Sequence, residues 1–247
     1  MPPESAPSPE TLRGLLGQPP TVAPLDLSEL SVAEEADHTR TLIEYGTAMG
    51  ERVQAWLLRP RGVDGPTPGI LAIHQDGERR PYEVGKSEPA GLGGDPELPY
   101  GLELCRRGYT VICPDRFPFE SRSLARSPHR ATFDAFAVRA RYGEQELDVT
   151  EDLYLGCVSA SLLVHGWSLA GRTLLELERA VDVLAGLAGV DPGRLGAIGH
   201  SAGGFYAALL MYLDPRVRAG CSSCGTFLLR WLFGGQTLKP ITGFGAL

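Results

Sequence analysis

The sequence predicts an α/β fold with a mostly parallel sheet and helices on both of its faces, and three observations support this prediction. Apolar runs of strand length alternate with segments of helical length along most of the 247 residues. Residues 69–74 are almost entirely apolar, which is typical of a parallel strand buried on both faces. Residues 195–213 pass from an apolar run through a glycine-rich turn into a second apolar segment, which indicates a strand, a tight turn and a helix.

The N-terminal part of the chain predicts an extension followed by a strand hairpin. Residues 1–37 are rich in proline and then acidic, so we interpret them as lying outside the core, with a short helix at 28–36. The domain itself is expected to span residues 38–247. Its first elements are two strand-like runs, at 39–45 and 52–58, separated by a short segment with glycine at each end.

The middle of the chain predicts a helix, a strand and an irregular segment. A long polar loop after the strand at 69–74 leads to a helix at about 98–107, which Gly108 closes as a left-handed cap. Residues 109–113 predict the next strand, and Asp115 follows almost directly. Residues 116–145 contain many arginines and aromatic residues without a clean period, so we expect a cap over the sheet or a long loop.

The last elements predict two helices around a strand and then one more strand. Residues 151–164 have helical length, and the helix after Ser168 carries its apolar residues on one stripe, which predicts that it covers the sheet. These residues are Leu174, Leu177, Val181, Leu184 and either Leu187 or Ala188. Residues 194–198 and 217–222 predict strands, and the helix between them, at 202–213, is stopped by Asp214-Pro215.

Composition limits the classes of partner. The formal net charge is −7, the isoelectric point is about 5.3, and no basic block is present, so we expect neither nucleic acid nor a membrane as a partner. A small neutral or weakly polar molecule fits better. Neither a signal peptide nor a membrane span is visible, which predicts a cytoplasmic protein. The five cysteines fit reduced thiols, and Cys221 and Cys224 are predicted to be buried structural residues.

The glycine-rich turn has the pattern of a nucleophile elbow, which is Gly-x-Ser-x-Gly between a strand and a helix. Here Gly199 and Gly203 flank Ser201, and small residues are needed because the two backbones come close together. The helix that begins after Ser201 directs free N–H groups and the positive end of its dipole at the space above the hydroxyl. Ser201 is therefore a candidate nucleophile. The alternative interpretation is a turn that only packs.

With these elements in place, the chain resembles the α/β-hydrolase superfamily, and within it bacterial hydrolases similar to dienelactone hydrolases and acetyl xylan esterases. The residues that carry the resemblance are 69–75, 85–88, 107–115, 190–194 and 199–204. The resemblance implies an α/β-hydrolase fold, Ser201 as nucleophile and the N–H of Ala202 as one oxyanion donor. It implies a second donor at Gln75 or its neighbour Asp76. No histidine or cysteine pair has the spacing of a metal site, so we expect no metal, and no cofactor is predicted. The implied reaction is cleavage of a small carboxylic ester through an acyl-enzyme on Ser201.

The order of the expected triad is not met, because in this fold the nucleophile precedes the acid and the histidine along the chain. No histidine follows Ser201, and Asp214 is the only acidic residue after it. One explanation is that the fold is C-terminally incomplete here, and the acid and base belong to a missing part. The other is an upstream base, for which His74 with Asp115 is the candidate. A structural role for both residues is the alternative to that relay.

Three further interpretations stay open at this point. A non-catalytic remnant or fragment of the fold would keep Ser201 without a relay. A prolyl-oligopeptidase-like peptidase would carry a similar elbow. An exposed sheet edge would favour association, which makes a homodimer possible. Gly85-Lys86-Ser87 resembles the end of a phosphate-binding loop, but Arg80 stands where that motif needs glycine, so no phosphate site is predicted.

Overall fold

The computed structural model describes residues 7–19, 21–77, 81–135, 139–142, 145–148 and 150–226. Residues 227–247, which the sequence assigned to the end of the domain, lie outside the described residues, as do residues 1–6 of the extension.

A seven-stranded sheet forms the centre of the fold. Its strands are β1 (Ser28–Glu34), β2 (His38–Gly46), β3 (Arg52–Pro60), β4 (Thr67–Ile73), β5 (Thr110–Pro114), β8 (Val190–His200) and β9 (Val217–Ser223). Two short strands, β6 (Arg139–Tyr142) and β7 (Gln145–Asp148), pair with each other in a separate antiparallel ribbon.

The described helices are α1 (Pro9–Leu16), α2 (Tyr100–Arg106), α3 (Arg130–Asp134), α4 (Thr150–Val164), α5 (Leu169–Gly186) and α6 (Ala202–Leu213). Four of the described helices lie close to predicted positions, whereas α1 and α3 were not predicted. Three single 3-10 turns lie at Pro81–Glu83, Glu120–Arg122 and Leu124–Arg126. The left-handed cap predicted after α2 is confirmed, since Gly108 has φ +93°.

The order of the sheet is β1-β2-β3-β5-β4-β8-β9, and it places three strand ends at one edge. Strand β4 lies between β5 and β8 and runs parallel to both, with Leu71 opposite Ile112 and Ile73 opposite Gly199. The carboxyl ends of parallel strands meet at the same edge, which is where ligands bind in such sheets. His74, Asp115 and Ser201 follow these three strands and therefore lie at that edge.

Helices cover both faces of the sheet, as predicted. Alternate residues of β4 point to opposite faces, so Leu71 and Ile73 pack with the stripe of α5 and with α6, while Ala72 packs on the other face with Cys105 of α2. The predicted stripe of α5 is confirmed for Leu174, Leu177, Val181 and Leu184, which are all at most 3% exposed, whereas Leu187 and Ala188 lie beyond the end of the helix at Gly186. Ser168 begins this helix by accepting the N–H of Gly171 at 3.0 Å.

The helix predicted at residues 28–36 is wrong, because this segment contains strand β1. It pairs antiparallel with β2 from Ser28 opposite Glu44 to Glu34 opposite Thr39. Strand β1 lies at the edge of the sheet and is exposed on both faces, so its side chains show little of the alternation that reveals a strand; Leu30 and Val32 are 47% and 55% exposed. Backbone pairing with β2 decides the structure here.

The extension is also continuous with the core, contrary to the predicted division after residue 37. Leu16 at the end of α1 is 1% exposed and belongs to the main hydrophobic cluster. Arg13 ties the same helix to α5 and α6 by donating to Glu178 at 2.5 Å and to the carbonyl of Leu213 at 2.9 Å. Proline-rich composition misled the prediction, since Pro9 stands in the first turn of α1, where proline fits a helix.

Residues 116–145, expected to form a cap or a long loop, are a succession of short elements where the structure describes them. They comprise two 3-10 turns, α3 and part of the β6–β7 ribbon. Phe117 and Leu124 from this segment pack with Tyr154 of α4 and with Trp167 in a second hydrophobic cluster. The segment is thereby fixed beside the edge where His74, Asp115 and Ser201 lie.

Candidate active site

Ser201 occupies a strained turn between β8 and α6. Its φ of 52° and ψ of −120° lie in a region that residues other than glycine rarely adopt. The surrounding structure holds this conformation: the N–H of Ser201 donates to the carbonyl of Ser223 at 2.8 Å, and its carbonyl accepts the N–H of Phe205 at 3.0 Å. The predicted strand, turn and helix are therefore confirmed.

Glycines on both sides of Ser201 are required by close backbone contacts. A Cβ at Gly199 would lie 2.2 Å from the carbonyl carbon of Gly203, so the two arms of the turn touch. A Cβ at Gly203 would lie 2.0 Å from the carbonyl oxygen of Ile73, so α6 also begins directly against the end of β4. Any side chain at either position would push the turn away from the sheet.

The Ser201 hydroxyl is not used to cap α6, although Ser201 is the residue that precedes the helix. The predicted oxyanion donor Ala202 is the first residue of α6, so its N–H belongs to the group that a helix leaves without an internal partner. The second predicted donor, Gln75, follows His74, whose carbonyl oxygen lies 2.6 Å from the Cβ position of Gly203. The two segments are thus neighbours, and the oxyanion role of Ala202 and Gln75 stays a prediction.

The geometry of His74 excludes it as the base for Ser201. The ring is fully buried, and Nδ1 contacts the carbonyl of Gln75 at 2.7 Å while Nε2 accepts the backbone N–H of Arg116 at 3.1 Å. A neutral imidazole with its proton on Nδ1 satisfies both contacts. Burial and the neighbouring Arg116 and Lys86 hold the pKa of His74 well below its usual value, which favours that neutral form.

Asp115 likewise does not act as the acid that would orient His74 in a relay. Its carboxylate accepts the Nζ of Lys86 at 2.8 Å, the backbone N–H of Lys86 at 2.7 Å and the backbone N–H of Ser121 at 3.1 Å, and the Ser121 hydroxyl also donates to it. The upstream relay is therefore not formed. The structural alternative holds, with His74 shaping the loop after β4 and Asp115 fixing the turn after β5.

Gly85-Lys86-Ser87 binds carboxylates of the protein itself. Glu120 accepts the N–H groups of Gly85 and Ser87 at 3.1 and 3.0 Å and the Nζ of Lys86 at 2.6 Å. Lys86 is 4% exposed and Asp115 is 1% exposed, so the two charges pair away from water. The resemblance to a phosphate-binding loop has a physical basis, because the same backbone donors here hold internal anions.

The remaining histidines do not reach Ser201 within the part of the chain that the structure describes. His200 contacts the hydroxyl of Ser223 on β9 at 2.9 Å. His165 contacts the carbonyl of Ser161 at 2.7 Å, and His129 is exposed. His38 is 5% exposed and pairs with Asp37 at the start of strand β2.

Cys221 and Cys224 are exposed, which corrects the prediction of buried structural residues. Cys221 lies on β9, whose only partner among the described strands is β8. No group of three or more His, Cys, Asp or Glu among the described residues is arranged to hold a metal ion. None of the described helices combines the length and apolar character needed to cross a membrane.

Two site residues escaped the sequence analysis, Arg116 and Lys86. Arg116 is 4% exposed and donates from Nη2 to the carbonyl of His74 at 3.0 Å and to Asp76 at 2.7 Å. Its place immediately after the strand that ends in Asp115 was the signal that could have identified it. Lys86 lies in a polar loop that gave no sign of burial.

Comparison with known proteins identifies the fold. No protein-family profile matches the chain. Over 211 residues, 85% of the chain, it is 24% identical to "Putative hydrolase YtaP" of Bacillus subtilis (strain 168) and covers 60% of that protein.

Solved structures give the same result. A "putative acetyl xylan esterase" of Bacteroides fragilis superposes on 86% of the chain with a TM-score of 0.64 and 18% identity, and the chain covers 50% of it. An acetyl xylan esterase of Paenibacillus sp. R4 superposes on 91% of the chain with a TM-score of 0.59 and 17% identity, and the chain covers 61% of it. The chain thus spans about half to three-fifths of the length of these relatives. It has the α/β-hydrolase fold, and Ser201 lies in the tight turn between β8 and α6.

Proposed function

We propose that the protein is a serine hydrolase that cleaves a small carboxylic ester through an acyl-enzyme on Ser201. The observation that carries the proposal is the backbone of Ser201, strained at φ 52° between β8 and the start of α6. Strain of this kind persists only where the surrounding structure enforces it, and it is concentrated at active sites. Similarity to proteins described as acetyl xylan esterases supports an ester as the substrate class.

The chemistry follows from the position of the hydroxyl. Attack of the Ser201 oxygen on an ester carbonyl forms a tetrahedral intermediate, whose oxyanion lies in front of the first N–H groups of α6. The N–H of Ala202 and a backbone N–H of the loop after β4 stabilise that charge, a contribution typically worth about 10²- to 10³-fold in kcat for each donor. Expulsion of the alcohol leaves the acyl group on Ser201, and water then releases the acid.

A base must take the proton of Ser201, since a serine hydroxyl without one is a weak nucleophile. His74 is excluded by its two contacts, and no other imidazole among the described residues lies against Ser201. The proposal therefore requires a base and an acid from elsewhere in the protein. In this fold both follow the nucleophile along the chain.

Hydrolysis of p-nitrophenyl acetate by the full-length natural protein tests the proposal. We expect turnover that disappears in Ser201→Ala and persists in Ser31→Ala, the matched control, which removes an exposed hydroxyl from β1 at the opposite end of the sheet from β9. Turnover that survives Ser201→Ala would overturn the acyl-enzyme.

The engagement of both His74 nitrogens also favours a second candidate, a non-catalytic protein that keeps the fold as a scaffold. The two candidates differ in the reactivity of Ser201. A scaffold leaves Ser201 unreactive toward a fluorophosphonate in the folded full-length protein, whereas a hydrolase is labelled there.

A further inference from the structure

The loop His74-Gln75-Asp76, which follows β4, is held from both sides by Arg116. The guanidinium Nη2 of Arg116 donates to the carbonyl of His74 at 3.0 Å and to the carboxylate of Asp76 at 2.7 Å. The backbone N–H of the same residue donates to Nε2 of His74 at 3.1 Å. One residue thus contacts the loop through its main chain and its side chain.

The proposed oxyanion donors belong to two peptide groups, one between residues 74 and 75 and one between residues 75 and 76. Hydrogen bonds fix the direction of both. The carbonyl of His74 and the N–H of Gln75 belong to one planar peptide group and point in opposite directions. Holding the carbonyl with Arg116 therefore sets the direction of the Gln75 N–H. The carbonyl of Gln75 shares its peptide group with the N–H of Asp76 and is held at 2.7 Å by Nδ1 of His74.

The imidazole that holds the second peptide group is itself oriented by Arg116. Because the Arg116 N–H occupies Nε2, the proton of neutral His74 lies on Nδ1, where it donates to the carbonyl of Gln75. Arg116 therefore sets the orientation of the donor in both cases, whether the oxyanion is bound by the N–H of Gln75 or by the N–H of Asp76.

The guanidinium has little freedom to move. It is 5% exposed and lies 4.8 Å from the ring centre of Phe119 and 5.6 Å from that of Tyr206. Tyr206 belongs to α6, so the same stacking connects the loop to the helix that carries the other oxyanion donor.

We infer that Arg116 is the positioning residue of the oxyanion site, which it builds by holding the two peptide groups of residues 74–76 against the start of α6. This inference rests on the proposed function. Arg116 does not touch the substrate; it acts through the backbone that does.

The test uses the full-length protein and two readouts, one of which needs no activity. Arg116→Met keeps an apolar contact with Phe119 and removes every side-chain donor, while the backbone N–H that donates to His74 remains. Arg116→Lys keeps the charge but cannot bridge His74 and Asp76 in the same geometry. The matched control is Arg122→Met. Arg122 is a buried arginine of the same segment, 7% exposed and stacked on Phe117, whose partners are Glu51 and Glu176 rather than the loop.

The first readout is hydrogen exchange of the backbone amides, measured on the peptide that contains residues 74–77. We expect faster exchange there in Arg116→Met, unchanged exchange in the peptide that contains residues 195–200, and unchanged exchange at 74–77 in Arg122→Met. Equal exchange at 74–77 in the parent and in folded Arg116→Met would overturn the inference, whatever the activity.

The second readout is the rate of fluorophosphonate labelling at Ser201 together with kcat and KM for p-nitrophenyl acetate. A misplaced donor should lower the labelling rate and kcat by about 10- to 100-fold with little change in KM. The labelling rate and kcat of Arg116→Lys should lie between those of Arg116→Met and those of the parent. A loosened loop with an unchanged labelling rate would overturn the inference. A parent that is folded but unlabelled at Ser201 would instead overturn the proposed function, and exchange at 74–77 would still decide whether Arg116 holds the loop.

Discussion

The backbone N–H of Arg116 donates to Nε2 of His74 at 3.1 Å, and this contact decides the role of the histidine. The lone pair that a base would offer to Ser201 is already occupied. Nδ1 is turned the other way, to the carbonyl of Gln75. His74 therefore shapes the loop after β4 and does not take part in proton transfer.

The pH dependence of fluorophosphonate labelling at Ser201 distinguishes a role of His74 in shaping the loop from a role as the base. In His74→Asn we expect the fluorophosphonate labelling rate at Ser201 to fall by about 10-fold or more because the loop loses its internal donor. The pH at which the rate is half-maximal should stay as in the parent, because the group that titrates is another one. A profile that becomes independent of pH would contradict the account and restore His74 as the base.

Replacement of Gly203 by alanine should destabilise the protein. The new Cβ would meet the carbonyl of Ile73 at 2.0 Å, and both groups belong to rigid backbone. We expect a loss of about 3 kcal/mol or more in the free energy of unfolding, measured with urea. Gly156→Ala in α4 is the matched control, since nothing lies within 4 Å of its Cβ position. A gain of about 0.5–1 kcal/mol is expected there. Equal effects at both positions would contradict the close packing of the elbow.

Removal of the Lys86 ammonium should leave the carboxylates of Asp115 and Glu120 without their shared cation. Lys86→Met should therefore lower the free energy of unfolding by about 3–5 kcal/mol. Arg194→Met is the control, because Arg194 is 53% exposed beside Asp191 and such a surface pair contributes about 0–1 kcal/mol. If Lys86→Met cost no more than this control, the buried charge cluster would not have the proposed role in stability.

Glu176 should contribute stability that is lost in acid. Burial alone would raise the pKa of Glu176, but Arg122 and Arg172 outweigh it and hold the pKa below its usual value. Stability from a lowered carboxyl pKa is fully present above the unfolded value, about pH 4.3, and disappears as the pH falls through the folded value.

The variant Glu176→Gln isolates this contribution. The difference in free energy of unfolding between parent and variant should be constant from about pH 6 to 8 and should narrow below about pH 4. Urea denaturation at several pH values measures it. A difference that does not change down to about pH 3 would contradict this interpretation of the cluster.

Local patterns were enough to predict the centre of the fold and the elbow. Strands β4 and β5 lie where apolar runs predicted them, because strands buried on both faces carry that pattern along their whole length, and β8 and β9 also lie at their predicted positions. Helix α6 begins and ends at the predicted residues, since Ser201 and Asp214-Pro215 mark both ends.

Features that depend on contacts between distant segments were missed. Strand β1 is exposed on both faces, so only its pairing with β2 reveals it. The role of Arg116 depends on the ends of β4 and β5 lying side by side in the sheet. The distance between these residues along the chain does not indicate this. The burial of Lys86 depends on Asp115 and Glu120, which lie about thirty residues further along the chain.

The central claim is that Ser201 is an activated nucleophile, and labelling of the full-length natural protein with a fluorophosphonate tests it most directly. Mass spectrometry of the digested protein identifies the modified residue, with Ser201→Ala as the control. The account predicts one modified residue, Ser201, and no labelling of the variant. A folded protein that remains unlabelled, or one labelled at another serine, would contradict it.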